Sequence, residues 1–154
     1  MPLGGLAFVA FVFGAVMGAG YVAPERKAAD RFVRAWERSD YRAMYDQLSD
    51  PSRQRVSFDS FQGAYRDAAA TATARSLRFG SATGGGDSVS VPVIARTAAF
   101  GTIKTKLALP FEGGRVKWSP ALTFPGVAAG ETLTRETQLP ERAAILAGNG
   151  QALA

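Results

Sequence analysis

The sequence contains no cysteine and no histidine among its 154 residues. The absence of cysteine excludes disulfides, thiolate nucleophiles and cysteine-ligated zinc. Without histidine, neither a Ser-His-Asp triad nor a HExxH zinc site can be present. These absences favour a non-catalytic protein, and we predict no catalytic residue, no metal ligands and no cofactor-binding residue. A chain of this length accommodates about one domain, and its composition favours a non-catalytic one.

Charged side chains are also missing from residues 1–24. Within them, Leu3–Ala23 is an apolar stretch of 21 residues, long enough for a helix to cross a hydrocarbon core of about 30 Å. A cleaved signal peptide is the alternative, but its apolar core is usually about 7–15 residues long. We therefore predict a signal-anchor, a single transmembrane helix, at residues 1–24. Basic residues follow this segment and none precedes it, so the positive-inside rule alone would leave the remainder in the cytoplasm.

The remaining charge is basic, with 18 Lys and Arg against 13 Asp and Glu. Such an excess can indicate nucleic acid, an anionic membrane surface or simple solubility. The arginines are spread singly, there is no lysine-rich arm, and no RNA-recognition aromatic motif or zinc-finger spacing occurs. We therefore predict no nucleic-acid partner.

A helix is predicted from Pro24 onward, because apolar residues recur every three or four positions as far as Trp36. The opposite face carries a basic stripe of four residues: Lys27, Arg31, Arg34 and Arg38. A basic face next to a membrane anchor can contact anionic lipid or a wall polymer. The simpler interpretation is a solvated helix surface, and we favour it.

Two further helices and then strands are predicted. Asp40 is a suitable N-cap for a short helix ending near Pro51, and another helix begins near Ser57. After about Thr73 the apolar period changes from 3.6 to 2, with turns predicted at Gly84-Gly85-Gly86-Asp87 and Gly113-Gly114. Three helices followed by about four antiparallel strands are typical of an α+β fold, with the helices covering one face of a curved sheet and a conical cavity between them.

Several motifs in this part of the chain occur in a fixed order. They are Ala29-x-x-Phe32-x-x-Ala35-Trp36, Ser39-Asp40-Tyr41-x-x-Met44-Tyr45, Phe58-x-x-Phe61-x-x-x-Tyr65, Val116-Lys117-Trp118-Ser119-Pro120, Leu122-Thr123-Phe124-Pro125-Gly126-Val127 and Gly130-Glu131-Thr132-Leu133. Together they resemble the NTF2-like amino-terminal (MecA-N-type) domain of class B penicillin-binding proteins. The resemblance spans about residues 25–130 and implies an NTF2-like cone at residues 25–119, then a linker at residues 120–138.

The last residues carry a second resemblance. Residues 140–154 are similar to the opening of the pedestal, or dimerisation, region of the same family, which usually reads Pro-x-Arg-Gly-x-Ile-x-Asp-x-x-Gly-x-x-Leu-Ala. Ala143 replaces the usual Gly and Ala147 the usual Asp, whereas Arg142, Ile145 and Gly150 stay in register. Residues 139–154 are therefore expected to begin a truncated dimerisation domain, and the chain is expected to be a fragment.

The family's catalytic elements are not present in this sequence. A penicillin-binding transpeptidase needs Ser-x-x-Lys, SxN and KTG elements. No Ser has Lys three residues later, the single Asn is Asn149, and Lys104-Thr105-Lys106 lacks the Gly. The resemblance implies a non-catalytic, membrane-anchored spacer that is involved in cell-wall synthesis. It would lie outside the cytoplasm, with a transpeptidase domain and other cell-wall synthesis proteins as partners.

Two other functions fit the sequence less well. An NTF2-like cone can act alone as a small-ligand-binding protein or isomerase, which requires a carboxylate in an apolar pocket. The candidates for that carboxylate are Asp40, Asp46, Asp59, Asp67 and Glu112. The third hypothesis is a membrane-tethered protein that binds cell-wall factors through the basic stripe.

Overall fold

The helical layer contains four helices where the sequence predicted three. The computed structural model describes residues 23–136, except residues 129 and 132. The helices are α1 (Pro24–Glu37), α2 (Tyr41–Tyr45), α3 (Asp50–Arg55) and α4 (Phe58–Thr71). The unpredicted helix is α3, whose first turn includes the Pro51 that was taken to end the previous helix. Proline lacks an N–H and has a helical φ, so it suits the start of a helix as well as the end of one.

The predicted N-cap at Asp40 is confirmed, and Ser57, near which the next helix was predicted to begin, is the N-cap of α4. The Asp40 carboxylate accepts a hydrogen bond from the Ala43 N–H at 3.0 Å, and the Ser57 hydroxyl accepts one from the Ser60 N–H at 3.2 Å. Each cap satisfies a backbone donor that the first turn of a helix leaves without a partner. Ser49 caps α3 in the same way, accepting from the Ser52 N–H at 3.3 Å.

One antiparallel sheet follows the helices. Its strands are β1 (Ala74–Phe79), β2 (Thr83–Gly85), β3 (Ser88–Thr97), β4 (Thr102–Glu112) and β5 (Arg115–Val116). The order across the sheet is β1-β3-β4-β5. Strand β2 lies on the same side of β3 as β1, where β1 pairs with the second half of β3 and β2 with the first. The sheet thus has five strands rather than about four. The turn expected at residues 84–87 is confined to Gly86 and Asp87, since Gly84 and Gly85 belong to β2.

Pro92 lies in the interior strand β3, although proline in a sheet is usually confined to edge strands and bulges. Proline cannot donate a ladder hydrogen bond. Here the missing N–H faces the break between β1 and β2, residues 80–82, where no strand pairs with β3. The Pro92 carbonyl still accepts from the Gly80 N–H at 2.9 Å. The strand therefore tolerates a proline because its neighbour is interrupted at that position.

The space between the helices and the inner face of the sheet is filled by side chains. Phe32 and Trp36 of α1 and Phe61 and Tyr65 of α4 pack against Val89, Val91, Val93, Leu107 and Leu109 of the sheet, all of them buried. The Trp36 and Tyr65 rings meet edge to face with centroids 4.8 Å apart, a contact worth about 0.5–1.5 kcal/mol beyond area burial. The predicted conical cavity is thus occupied by the core, and a cleft remains open at its edge.

The end of the sheet is joined to the helical layer through Val116. Its N–H donates to the Gln47 carbonyl at 3.0 Å, and its carbonyl accepts from the Ser49 N–H at 2.9 Å. Leu48 and Val116 therefore form a parallel bridge. Beyond it, the short 3₁₀-helix Pro120–Thr123 leads to the buried Phe124, so the first residues of the predicted linker pack on the domain.

Several predictions concern residues outside the described part of the chain. The signal-anchor at residues 1–24 has only its last two residues described, and the dimerisation-domain segment at residues 139–154 has none. The end of the linker at residues 120–138 is not described either. Among the residues that are described, no helix is long and apolar enough to cross a bilayer.

Candidate interaction surfaces

The basic stripe lies on the exposed face of α1. Its first three members are in the helix, Arg38 is at the C-cap, and all four are exposed. Arg31 Nε donates to Gln47 Oε1 at 3.0 Å, and Arg34 pairs with Glu37 at 3.2 Å. Half of the stripe is therefore bound to other side chains of the domain. Its role in binding a partner stays a prediction, and the exposure fits a solvated helix surface equally well.

Glu37 links this helix to the edge of the sheet. Its carboxylate accepts a hydrogen bond from the Phe79 N–H of β1 at 2.8 Å, while its other oxygen pairs with Arg34. The Glu37 side chain is only 11% exposed. Because β1 is an edge strand, the Phe79 N–H would otherwise have no ladder partner. Glu37 therefore has a structural role, although it lies beside the open cleft.

The cleft at the edge of the core is small. It has a volume of about 140 Å³ and is lined by Trp36, Glu37, Tyr41, Tyr65, Leu77 and Arg75, among others. Pockets for drug-sized ligands are usually about 300–1,000 Å³. The one carboxylate that lines the cleft, Glu37, is already bonded to Phe79 and Arg34. The cleft therefore has neither the size nor a free carboxylate suited to acid–base chemistry on a bound ligand.

The Tyr65 hydroxyl is buried in the aromatic core without a hydrogen-bond partner among the described residues. Burial raises the pKa of this phenol well above its ordinary value of 10.0, and the nearby Trp118 indole N–H opposes the rise only in part. The Trp118 Nε1 also lacks a hydrogen-bond partner in the same part of the chain. A phenol held neutral in this way contributes packing rather than proton transfer.

The carboxylates proposed for an isomerase do not converge. Asp40, Asp46, Asp59, Asp67 and Glu112 are all exposed. Asp40 serves as the N-cap of α2, and Glu112 accepts a hydrogen bond from the Ser49 hydroxyl at 3.2 Å. Among the described residues, no three Asp, Glu, His or Cys side chains come close enough together to hold a metal ion.

A second basic surface, which we call the outer basic face, was not predicted. It comprises four exposed residues on the side of the sheet away from the helices: Arg78, Arg96, Lys104 and Lys106. In the strand register, Arg78 lies beside Ile94, which lies beside Lys104, and Pro92 lies beside Lys106. The ion pairs found in the described chain involve Arg34 and Arg53, so these four cations have none there.

This face had a signal in the sequence, although an incomplete one. Alternation along β4 places Lys104 and Lys106 opposite the apolar residues that face the core, and Arg96 alternates with Ala95 and Thr97 in the same way. Only the register between the strands shows that these residues share one cluster. The register depends on tertiary packing, which the alternation within each strand does not specify.

Comparison with known proteins identifies the domain. Residues 24–131 match the family model described as MecA_N, the NTF2-like N-terminal transpeptidase domain. No curated protein sequence matches the chain. The matched region covers more than two thirds of the sequence and contains every helix and strand described above. It comprises an N-terminal domain and no transpeptidase domain. With its helices packed on a curled antiparallel sheet, the chain belongs to the MecA_N family of NTF2-like N-terminal transpeptidase domains.

Proposed function

We propose that this chain is the non-catalytic N-terminal module of a penicillin-binding protein and acts as a spacer in cell-wall synthesis. Residues 1–24 would anchor it in the cell membrane by a single span, and the domain would stand outside the cytoplasm. A transpeptidase domain that follows in the parent protein would be held at a distance from the membrane, within reach of peptidoglycan. Cell-wall synthesis proteins are further proposed partners.

The observation that carries this proposal is the filled core of a domain of this family. An NTF2-like cone that binds a small ligand needs an open interior, whereas here aromatic rings from α1 and α4 occupy it. The exposed carboxylates and the small cleft likewise disfavour the alternative, a stand-alone small-ligand-binding protein or isomerase. A rigid body without an interior site suits a spacer better.

Acylation by a fluorescent penicillin tests the non-catalytic part of the proposal. We expect no covalent band on the purified 154-residue chain, since its sequence has no Ser-x-x-Lys element to supply the nucleophile. A penicillin-binding protein with an intact transpeptidase domain, labelled in parallel, is the positive control. A band on this chain that survives denaturation would overturn the assignment.

The position of the chain in a longer protein and in the membrane needs separate tests. The genomic reading frame is expected to continue past Ala154 into a dimerisation region and a Ser-x-x-Lys element, and an authentic stop codon there would contradict this. For orientation, a reporter enzyme active only outside the cytoplasm can be fused after Glu136. We expect activity from that fusion and none when residues 1–22 are deleted.

A further inference from the structure

Among the described residues, no strand pairs with the edge of β4 that faces away from β3 along residues 102–108. Phe111 N–H donates to the Asp87 carbonyl at 2.9 Å and Thr97 N–H to the Gly101 carbonyl at 2.8 Å. The register between β3 and β4 is continuous, so the odd-numbered residues of β4 bond to β3. In an antiparallel ladder the residues between them point their N–H and C=O groups to the opposite side of the strand, here the edge away from β3. Those residues are Thr102, Lys104, Lys106 and Ala108.

These four residues have no backbone partner in the described part of the chain. On that edge, β5 pairs only with Phe111 and Glu112, and Lys117 N–H takes the Pro110 carbonyl at 2.8 Å. The open stretch therefore presents four N–H donors and four carbonyl acceptors, with alternate residues about 6.8 Å apart. Such an edge is a template for another strand.

A groove runs beside the same edge. It has a volume of about 420 Å³ and separates Lys106–Pro110 from the segment around the 3₁₀-helix. On the strand side it is lined by Leu107 and by the outward-facing Lys106, Ala108 and Pro110, with Leu122 and Val127 on the other side. Ile103 and Thr105, on the inner face of the strand, are only partly buried. An added strand would thus find apolar contacts for the side chains that point towards the core.

The other face of such a strand would meet the outer basic face. Lys104 and Lys106 lie on the open strand itself, and Arg78 and Arg96 extend the positive charge across the sheet. No acidic residue of the described chain lies among them, since Glu112 is at the far end of β4. Opposite charges that face each other across paired strands stabilise the pairing.

We propose that the β4 edge binds an extended acidic segment of a partner protein by strand addition, with acidic side chains over Lys104 and Lys106 and apolar ones in the groove. This inference does not depend on the proposed spacer function. An anionic polymer or lipid would neutralise the lysines but would leave the carbonyl acceptors unpaired. A second copy paired antiparallel about Thr105 would set Lys104 against Lys106 of its partner, which is repulsive.

The test uses the full 154-residue chain in detergent and two synthetic ten-residue peptides. One peptide alternates glutamate with valine, and the other alternates lysine with valine. Binding is measured by fluorescence anisotropy, and hydrogen exchange is followed at the amides of Thr102, Lys104, Lys106 and Ala108. We expect the glutamate peptide to bind and to protect these four amides. Ionic contact without strand pairing would leave their exchange unchanged.

Three variants separate charge from backbone pairing. The Lys104→Glu/Lys106→Glu variant is expected to bind the glutamate peptide about tenfold more weakly, or weaker still, and to bind the lysine peptide instead. Its matched control, Lys27→Glu/Arg38→Glu, makes the same change in net charge on α1 and should leave binding as it is. Ala108→Pro removes one N–H from the open edge and no hydrogen bond to β3, so it should abolish peptide binding. Its control, Ala108→Val, keeps this N–H and should still bind the peptide.

Several results would overturn the proposal. One is binding of the glutamate peptide without amide protection, which would indicate an anion site only. Another is equal binding by the Ala108→Pro variant when its circular dichroism matches that of the parent. A third is a dimer in light scattering that Ala108→Pro disrupts, since the edge would then pair with a second copy. Absence of binding by the folded parent chain would overturn it as well.

Discussion

The Glu37 carboxylate accepts a hydrogen bond from the Phe79 N–H at 2.8 Å, and this bond joins the last turn of α1 to the edge strand β1. The two residues are 42 positions apart in the sequence. The contact satisfies a strand amide at an edge where no other strand pairs with it. It also fixes the position of the helix whose other face carries Phe32 and Trp36 into the core.

Replacing Glu37 with alanine should therefore destabilise the domain. The Phe79 N–H would lose its acceptor in a partly buried environment, which costs about 1–3 kcal/mol. Glu37→Gln keeps an acceptor oxygen and should cost less. Urea unfolding followed by the fluorescence of the two tryptophans measures both. Equal stability of the alanine variant and the parent would show that water replaces the carboxylate at no cost.

Removal of the Tyr65 hydroxyl is predicted not to destabilise the domain. Because this buried group has no partner among the described residues, Tyr65→Phe should leave the free energy of unfolding unchanged or raise it by up to about 1 kcal/mol. Tyr65→Ala is the contrasting variant, and it should cost about 3–5 kcal/mol through the cavity it leaves. A clear loss of stability in Tyr65→Phe would mean that the hydroxyl has a partner after all.

The raised pKa of Tyr65 predicts a loss of stability in alkali. The unfolded chain releases the phenol proton near pH 10, whereas burial keeps the folded one protonated at that pH. The folded state then binds more protons than the unfolded state, so stability falls as the pH rises above about 10. The difference in unfolding free energy between the parent and Tyr65→Phe, measured from pH 8 to 11, isolates this contribution. A constant difference would contradict it.

Ser49 and Ser52 form a buried pair next to the Trp118 backbone. Substitution of Ser52 should reduce the stability of the domain more than the sequence alone indicates. Ser52 Oγ accepts from the Trp118 backbone N–H at 3.0 Å and lies within hydrogen-bond distance of Ser49 Oγ, at 2.9 Å, and both serines are buried. Ser52→Ala removes that acceptor and is expected to cost about 1–3 kcal/mol. The exposed Ser60 makes a comparable bond with Ser57, so Ser60→Ala is the matched control and should cost less than about 0.5 kcal/mol. Equal losses of unfolding free energy in Ser52→Ala and Ser60→Ala, measured by urea unfolding, would contradict the prediction that the buried serine matters more.

The β4–β5 hairpin depends on two glycines with positive φ. Gly113 has φ 60° and Gly114 has φ 73°, and a Cβ at either position would meet nothing within 4 Å. Any cost of substitution is therefore conformational, about 1–2 kcal/mol for an ordinary residue. Gly113→Asn should be tolerated better than Gly113→Val, because asparagine adopts this conformation more readily. Thermal unfolding of the two variants gives the comparison, and a valine variant as stable as the asparagine one would contradict it.

The sequence predicted the parts of the fold that depend on local patterns. The apolar period of α1, the cap at Asp40, the helix start near Ser57 and the alternation along β3 and β4 all concern residues within a few positions of one another. Helix α3 was missed because Ser49-Asp50-Pro51 is compatible with a helix end and with a helix start. The strand β2 was missed because its three residues include two glycines, which favour turns.

The candidate surfaces divide in the same way. The basic stripe follows from helical spacing alone, so its exposure could be predicted. The outer basic face and the open β4 edge require the pairing of β1, β3 and β4, which places Arg78, Ile94 and Lys104 in one row. That pairing results from the packing of the whole sheet on the helices. Residues from three strands define the face, and no short window of sequence contains them.

The parallel bridge between Leu48 and Val116 has a mechanical consequence. The segments around Leu48 and Val116 run in the same direction. The start of the chain precedes Leu48, and its end follows Val116. A pulling force between the two ends of the domain would draw these segments past each other, so the bridge is loaded in shear. Its two hydrogen bonds must then break together rather than one after the other. In the position proposed for it, between a membrane and the cell wall, the domain would gain resistance to tension from this arrangement.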